Sequence, residues 1–176
     1  MIEHWMIWLQ MTPAYYVALV FFAAYPIVTS IMWITTAMMF RWRWEGRAGE
    51  APPERDDWPF VSVMVPAHNE RAVIERSVRA MLAMDYPAFE VIVVDDGSQD
   101  GTLDALAPLL GDPRLRTVRK IPNEGKAMAL NDAAPLARGE ILLGLDADAE
   151  PDPLLLRWIV PHFDAPRVAA VTGNPR

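Results

Sequence analysis

An α/β fold, with a mostly parallel sheet covered by helices on both faces and a transmembrane helix ahead of it, is what this sequence predicts. Three observations predict it. No Asp, Glu, Lys or Arg occurs between Trp5 and Phe40. Beyond Pro59, short continuous apolar runs alternate with segments of helical period, the pattern of strands buried between two helical layers. Three polar knots, PAHNE, DDGSQD and DADAE, close three of the apolar runs.

The chain opens with MIEHWMIWLQMTP, too short to span a bilayer and expected to lie in its interface, where tryptophan is at home. Ala14 to Phe40 follows; at about 1.5 Å per residue it exceeds the roughly 30 Å hydrocarbon core, so it can span with tilt, with a bend expected at Pro26. A cleaved signal peptide is the rival reading, but the basic start is missing and the apolar run is too long. RWRWEGR puts three Arg just behind the span, against Glu3 and His4 ahead of it. The positive-inside rule then places the following domain in the cytoplasm, at the inner membrane if the cell is bacterial. The segments expected are a membrane part over 1–40, a basic, Pro-rich and solvated linker over 41–59, and a globular part over 60–176.

In the globular part, FVSVMVP (Phe60 to Pro66) reads as a strand, and Arg71 to Met84 as a helix with Val73, Ile74, Val78, Met81 and Leu82 on one face. Strands are expected at Phe89 to Asp95, Leu115 to Lys120, Glu140 to Asp146 and Val168 to Gly173. Helices are expected at Thr102 to Leu110, Gly125 to Ala137 and Leu154 to Phe163. Ligands of such sheets bind beyond the carboxyl ends of the strands, where the three knots lie.

Composition narrows the chemistry. With 16 Lys+Arg against 23 Asp+Glu the net charge is −7, which argues against nucleic acid as a partner. Cysteine is absent, so thiol chemistry, disulfides and zinc knuckles are excluded. Each acidic knot also has an ordinary explanation. Asp95 and Asp96 before Gly97 suit a turn, and Asp146 and Asp148 suit a helix-entry loop capped by Asp152. Taken together, two strands ending in paired carboxylates call for a cation or donors between them. Residues two apart in an extended segment share a face, so Asp146 and Asp148 can offer two hard oxygens to Mg²⁺ or Mn²⁺, ions that also take substrate phosphates. Lys126, one of two lysines, follows NEG at a helix start, suited to phosphate or simply solvated.

VSVMVPAHNE, VIVVDDGSQDGT, NEGKAMALNDAAPLARGEILLGLDADAEPD and VAAVTGNPR, in that order, resemble the nucleotide-sugar half of processive family 2 glycosyltransferases, with their GT-A (Rossmann-like) fold. Within that family the resemblance is to the poly-β-1,6-N-acetylglucosamine synthases. It implies a membrane-bound, inverting transferase that uses UDP-N-acetylglucosamine to extend a polysaccharide acceptor, a biofilm matrix polymer, with a small membrane subunit as a possible partner. By the same resemblance Pro66, His68 and Glu70 line the uridine pocket, His68 standing where the family often has another aromatic ring. Asp96 accepts a hydrogen bond from uracil, Lys126 faces the donor phosphates, and Asp146 and Asp148 form the metal-holding DxD. The family's general base, in a TED-like motif, and its QxxRW clamp are expected downstream of Arg176, so this chain is expected to be the N-terminal part of a longer enzyme.

Hyaluronan-, chitin- or cellulose-type synthases and lipid-linked sugar transferases are the alternatives within the family. Outside it stand a catalytically silent UDP-sugar-binding fragment and a phospho-receiver domain. The receiver also gathers acids and a Lys around Mg²⁺, but in a different order along the chain.

Overall fold

A computed structural model describes residues 12–44 and 51–173. The expected interfacial stretch therefore lies almost wholly outside the described residues, as do 45–50 and the last three positions. The chain divides into two units, Met1–Ala51 and Pro52–Arg176.

In the first unit, α1 runs Pro13–Trp44 and passes through Pro26 without interruption. Pro13 opens it at a position where the missing N–H costs nothing. The hydroxyls of Thr29, Thr35 and Thr36 each bond back to the carbonyl four residues earlier, Tyr25, Ile31 and Met32, which satisfies them without water. The most apolar 18-residue stretch of the helix has a mean hydropathy of 2.1, and none of that stretch is buried in the structure. At about 1.5 Å per residue the helix is longer than a hydrocarbon core, and Arg41 and Arg43 occupy its last turn. Among the described residues it alone is long and apolar enough to cross a membrane.

The second unit holds one parallel sheet in the order β3-β2-β1-β4, from β1 (Val61–Ala67), β2 (Phe89–Asp96), β3 (Leu115–Lys120) and β4 (Ile141–Gly144). Helix α2 (Ile74–Leu82) follows β1, α3 (Lys126–Ala133) follows β3, and α4 (Leu155–Ile159) follows β4. Strand alternation sends Val61, Val63 and Val65 of β1 and Val91 and Val93 of β2 to one face, under Ile74, Val78 and Met81 of α2 and Leu156 of α4. Met64, Ile92 and Val94 face the other way, under Ala129 and Ala133 of α3. Helices thus cover both faces, as the sequence predicts.

Three expected helices are shorter than their periodicity suggests, for one reason. The segment expected as a helix over 102–110 is a 3₁₀ turn, Asp104–Leu109, with Pro108 inside it. The α3 segment turns to 3₁₀ at Ala134–Leu136, around Pro135, and the α4 segment at Val160–Asp164, around Pro161. Each proline lacks the N–H that would continue the α ladder, and its ring crowds the carbonyl four residues back. The helix expected from Arg71 begins only at Ile74, and Arg71 to Val73 form a turn.

The fifth strand is a correction: Val168 to Gly173 makes no strand. Val168 is 36% exposed, and most of the segment around it is likewise exposed, so little burial offsets the entropy of ordering it.

The linker is a second correction. Its last residues are not solvated but strapped to the domain. Trp58 packs edge-on against Tyr86, with the guanidinium groups of Arg157 and Arg55 over its ring at 5.2 and 5.9 Å. Arg55 also grips Asp164 through both carboxylate oxygens, at 2.8 and 3.0 Å. The Tyr86 hydroxyl donates to the Pro59 carbonyl at 2.6 Å, and burial pushes its pKa up to about 12.

A buried polar network ties the start of β4 to the sheet. Glu90, 3% exposed, accepts from the Ser62 hydroxyl (2.8 Å), the Arg138 N–H (2.9 Å) and the Arg116 guanidinium (3.0 Å). Burial alone would raise the Glu90 pKa, but the Arg138 N–H, the Ser62 hydroxyl and Arg116 outweigh it and hold the group below its ordinary 4.5. A carboxylate held lower folded than unfolded contributes stability above about pH 4.5, and that contribution is lost as pH falls through the lowered value. Urea denaturation at pH 7, 4 and 3 is expected to show this acid loss in the wild type. Glu90→Gln should be less stable at pH 7 by about 3 kcal/mol, because its amide NH₂ meets only donors, and should have a flatter acid limb. Parallel pH profiles for the two proteins would contradict the assignment.

Candidate functional site

The strand order places β1 and β4 side by side although they are far apart in sequence. The chain leaves β1 toward β2 and β3, then returns to the other side of β1, and the carboxyl ends of such a pair open a crevice. Pro66 helps to open it. Phe60 and Met64 turn their carbonyls toward β4, accepting from Glu140 and Leu145 at 2.9 and 3.1 Å. By the same alternation Pro66 faces β4 next, but it has no N–H to give, and the ladder stops there.

The crevice carries charge of both signs. Past β4, Asp146 and Asp148 are exposed while Ala147 between them is 5% exposed, so the two carboxylates emerge on the solvent side together. Lys126, the first residue of α3, forms an ion pair with Asp146, both side chains being more than half exposed. Glu150 is fixed to Arg76 of α2, and Asp152 closes the turn into α4 by accepting the Leu154 N–H at 2.8 Å. No cluster of three or more His, Asp or Glu suited to a metal occurs among the described residues. Two exposed carboxylates nevertheless fit Mg²⁺ or Mn²⁺, which keep several waters and complete their shells from phosphate oxygens.

The pair ending β2 divides its work by strand alternation. Asp95 lies on the α2 side, 1% exposed; it accepts the Ser98 N–H at 3.0 Å and lies 3.6 Å from Arg119, so turn chemistry describes it. Asp96 lies on the α3 side, 3% exposed, and accepts the N–H groups of Glu124 (3.1 Å) and Gly125 (2.6 Å). Its negative charge sits against the N-terminus of α3, immediately ahead of Lys126. Gly125 enters the helix at φ +93°, a conformation that side-chain-bearing residues rarely take.

Lys120 braces the same helix from the end of β3, contacting Glu124 at 2.5 Å and Asp132 at 2.6 Å. Asp132, and then Glu124, raise its pKa above the usual value.

Several residues that the sequence reading passed over bind the first two knots to each other. The Asn69 N–H donates to the Ser98 hydroxyl (2.9 Å), the Gln99 N–H to the Asn69 side-chain oxygen (3.0 Å), the Glu70 N–H to the Thr102 hydroxyl (3.0 Å) and the Arg71 N–H to Asp100 (3.0 Å). Asp100 is held below the usual carboxylate range chiefly by the Thr102 hydroxyl, against burial, with the Arg71 and Thr102 N–H groups assisting. The spacing Ser98, Asp100, Thr102 is the signal that could have revealed this clasp, since short polar side chains two apart after a strand bond to nearby backbone. Asn69 has φ +56°, in the region asparagine tolerates best after glycine. His68 and Asn123 meet across the same loops. Of the expected residues, His68 and Asp96 meet, with Asn123 beside them, and Lys126 pairs with Asp146. The Glu70 side chain is half-buried beside the clasp.

The sequence matches the profile of glycosyl transferase family 2 over residues 62–176, which takes in the sheet and every knot. The chain belongs to glycosyl transferase family 2.

Among curated members, it is 40% identical over 118 residues to a beta-monoglucosyldiacylglycerol synthase of Trichormus variabilis, covering 64% of this chain and 25% of that one. It is 30% identical over 160 residues to the poly-beta-1,6-N-acetyl-D-glucosamine synthase of Staphylococcus epidermidis, covering 89% and 39%. Less than half the length of these relatives is thus spanned. Among solved family 2 folds, the mannosyltransferase PcManGT of Pyrobaculum calidifontis, in complex with GDP-Man and Mn²⁺, matches with a TM-score of 0.62 at 33% identity, over 81% of this chain and 44% of that one. A TarS fragment of S. aureus in complex with UDP-GlcNAc matches with a TM-score of 0.56 at 30% identity, over 60% and 31%. The GT-A-type fold expected from the sequence is the fold of these neighbours.

Proposed function

We propose that this family 2 chain carries the donor site of a membrane-anchored, metal-dependent glycosyltransferase that takes a UDP-sugar, with UDP-N-acetylglucosamine as donor and poly-β-1,6-N-acetylglucosamine as product. One observation carries the reading: a cation-binding pair, Asp146 and Asp148, stands beside an anion-binding group, Lys126 at the head of α3. A nucleoside diphosphate with its metal needs both at adjacent positions.

In this reading Asp146 and Asp148 would hold Mg²⁺ or Mn²⁺, which would supply neutralisation of the charge on a departing diphosphate. Lys126 exchanges its carboxylate partner for a phosphate oxygen. Pro66, the His68 ring and Glu70 border the base. The Asp96 carboxylate, with two N–H groups already bound, retains lone pairs to accept a base N–H. Helix α1 is the anchor, and the arginines in its last turn put the domain on the cytoplasmic side, where nucleotide sugars are made.

The polysaccharide reading is supported by the similarity that continues over 160 residues. Glycolipid synthesis is the second reading, favoured by the higher identity to the glucosyldiacylglycerol synthase. Calorimetric titration of the detergent-solubilised chain with UDP-GlcNAc, UDP-glucose and GDP-mannose, with and without Mn²⁺, separates them. The expected result is UDP-GlcNAc bound about tenfold or more tighter with metal than without. A preference for UDP-glucose would favour the glycolipid, and metal-independent binding of all three would defeat the donor-site reading.

A further inference from the structure

We infer that His68 is a positioning residue: a neutral ring in its Nδ1–H tautomer that pins three loops of the site together. Both neighbouring amides have their orientation set by backbone donors. The Asn69 oxygen accepts the Gln99 N–H at 3.0 Å, so the atom 3.0 Å from His68 Nε2 is the amide nitrogen. The Asn123 oxygen accepts the Gly125 N–H at 3.0 Å, so its nitrogen is the atom 2.9 Å from His68 Nδ1 and 3.2 Å from Nε2; close to both, it rests against the face of the ring and in line with neither lone pair. The Asn69 amide nitrogen only donates, so Nε2 carries the lone pair. His68 Nδ1 lies 2.8 Å from the carbonyl oxygen of Asp96, which only accepts, so Nδ1 carries the proton.

The three loops tied by this ring are the one leaving β1, the end of β2, and the entry to α3. Asn123 and the Asp96 carboxylate also hold the N–H of Gly125, so the ring reaches the helix entrance that sets the place of Lys126. A phenyl or phenol ring could lie flat against a base at this position, but it could not make both bonds. With its nitrogens engaged and the Asn123 amide against one face, the ring leaves a ligand its other face. The inference rests on the donor-site reading only for what is being positioned: the base at one end and the phosphates, through Lys126, at the other.

The test uses the full chain in detergent, with histidine ring nitrogens labelled with ¹⁵N, in mildly alkaline buffer and without nucleotide. Three histidines are present, and His68→Phe assigns the signal by removing it. The His68 spectrum is expected to show a protonated Nδ1 and a lone-pair Nε2; the reverse tautomer would overturn the inference. Hydrogen exchange at the Glu124 and Gly125 amides is expected to quicken about tenfold in His68→Phe, the size of one lost hydrogen bond, and to be largely restored in His68→Asn, which can donate and accept in the same place. Unchanged exchange in His68→Phe would also overturn it.

Binding gives a third readout. The UDP-to-uridine affinity ratio should fall about tenfold in His68→Phe, whatever the change in uridine affinity itself, and should be kept in His68→Asn. A ratio unchanged in His68→Phe would reduce His68 to a stacking ring. If the wild type bound neither uridine nor UDP, the donor-site reading would fail, and the tautomer and exchange results would still decide the role of His68.

Discussion

Asp146→Asn is expected to lower Mn²⁺-dependent binding of a UDP-sugar by about 100-fold or more while leaving the melting temperature of the domain nearly unchanged. The two halves of that expectation have separate physical grounds. The Asp146 and Lys126 side chains are 62% and 61% exposed, and an ion pair that open to water contributes roughly 0–1 kcal/mol to folding. As a metal ligand in the proposed site, however, Asp146 would supply one of the two charged oxygens of the Asp146–Asp148 pair, and an amide is a poor substitute for a carboxylate toward a hard divalent ion. The substitution also frees Lys126. Binding without metal should therefore survive or strengthen slightly, so the variant should lose the metal effect rather than all affinity. Calorimetry with and without Mn²⁺ on wild type, Asp146→Asn and Asp148→Asn reads this directly. Equal affinities with and without metal in all three proteins would remove the metal from the site.

The largest effect on folding is expected at Gly139. A Cβ there would lie 2.4 Å from the Ser62 nitrogen and 2.9 Å from the carbonyl oxygens of Phe60 and Ile141. All three are backbone atoms, so no flexible side chain can swing aside. The Gly139 N–H is itself spent on the Ser62 hydroxyl at 2.8 Å. Gly139→Ala must push β4 away from β1, at a cost of about 3 kcal/mol or more, the upper end of what overpacking costs. For a domain of this size that lowers the melting temperature by roughly 10 °C. Gly111→Ala is the control, since nothing lies within 4 Å of its Cβ position. Thermal unfolding followed through near-ultraviolet circular dichroism, with Trp58 as the packed reporter, should separate the two variants. Coincident melting curves would show that the β1–β4 contact yields more easily than its geometry implies.

Much of the architecture could be read from the sequence because it depends on periodicity. The runs Val61 to Val65 and Val91 to Val94 are apolar at every position except Ser62, as strands between two helical layers must be. Their lengths also fixed where the knots would fall. What periodicity cannot register is a missing donor. Pro135 and Pro161 each turned the end of an α pattern into 3₁₀, and the segment around Pro108 is 3₁₀ throughout, without any disturbance of the apolar spacing. Val168 to Gly173 has the composition of a strand, yet a strand is defined by its partner, and composition does not supply one.

The site was legible in its charges and less so in its hydrogen bonds. Asp146, Asp148 and Lys126 could be picked out because carboxylate pairs and a rare lysine are conspicuous. Asp95 and Asp96 look alike in the sequence, and only the face each takes in β2 separates a turn-forming carboxylate from one that anchors α3. Asn69, Ser98, Thr102 and Asn123 act through the backbone of other loops, contacts that no local pattern reveals.

The two sides of the sheet differ in thickness. Among the described residues, nineteen buried apolar residues pack on the side of α2 and α4 and five on the side of α3. Protection against hydrogen exchange should follow the same division, because local opening exposes least where least is buried. The α2 side should exchange only with global unfolding, and α3 through cheaper, independent opening. The layer that carries Lys126 is thus the one able to breathe while the rest of the domain stays folded. A ligand that draws Lys126 and the α3 entrance onto its phosphates would slow exchange there first, making that helix the natural place to watch donor binding residue by residue.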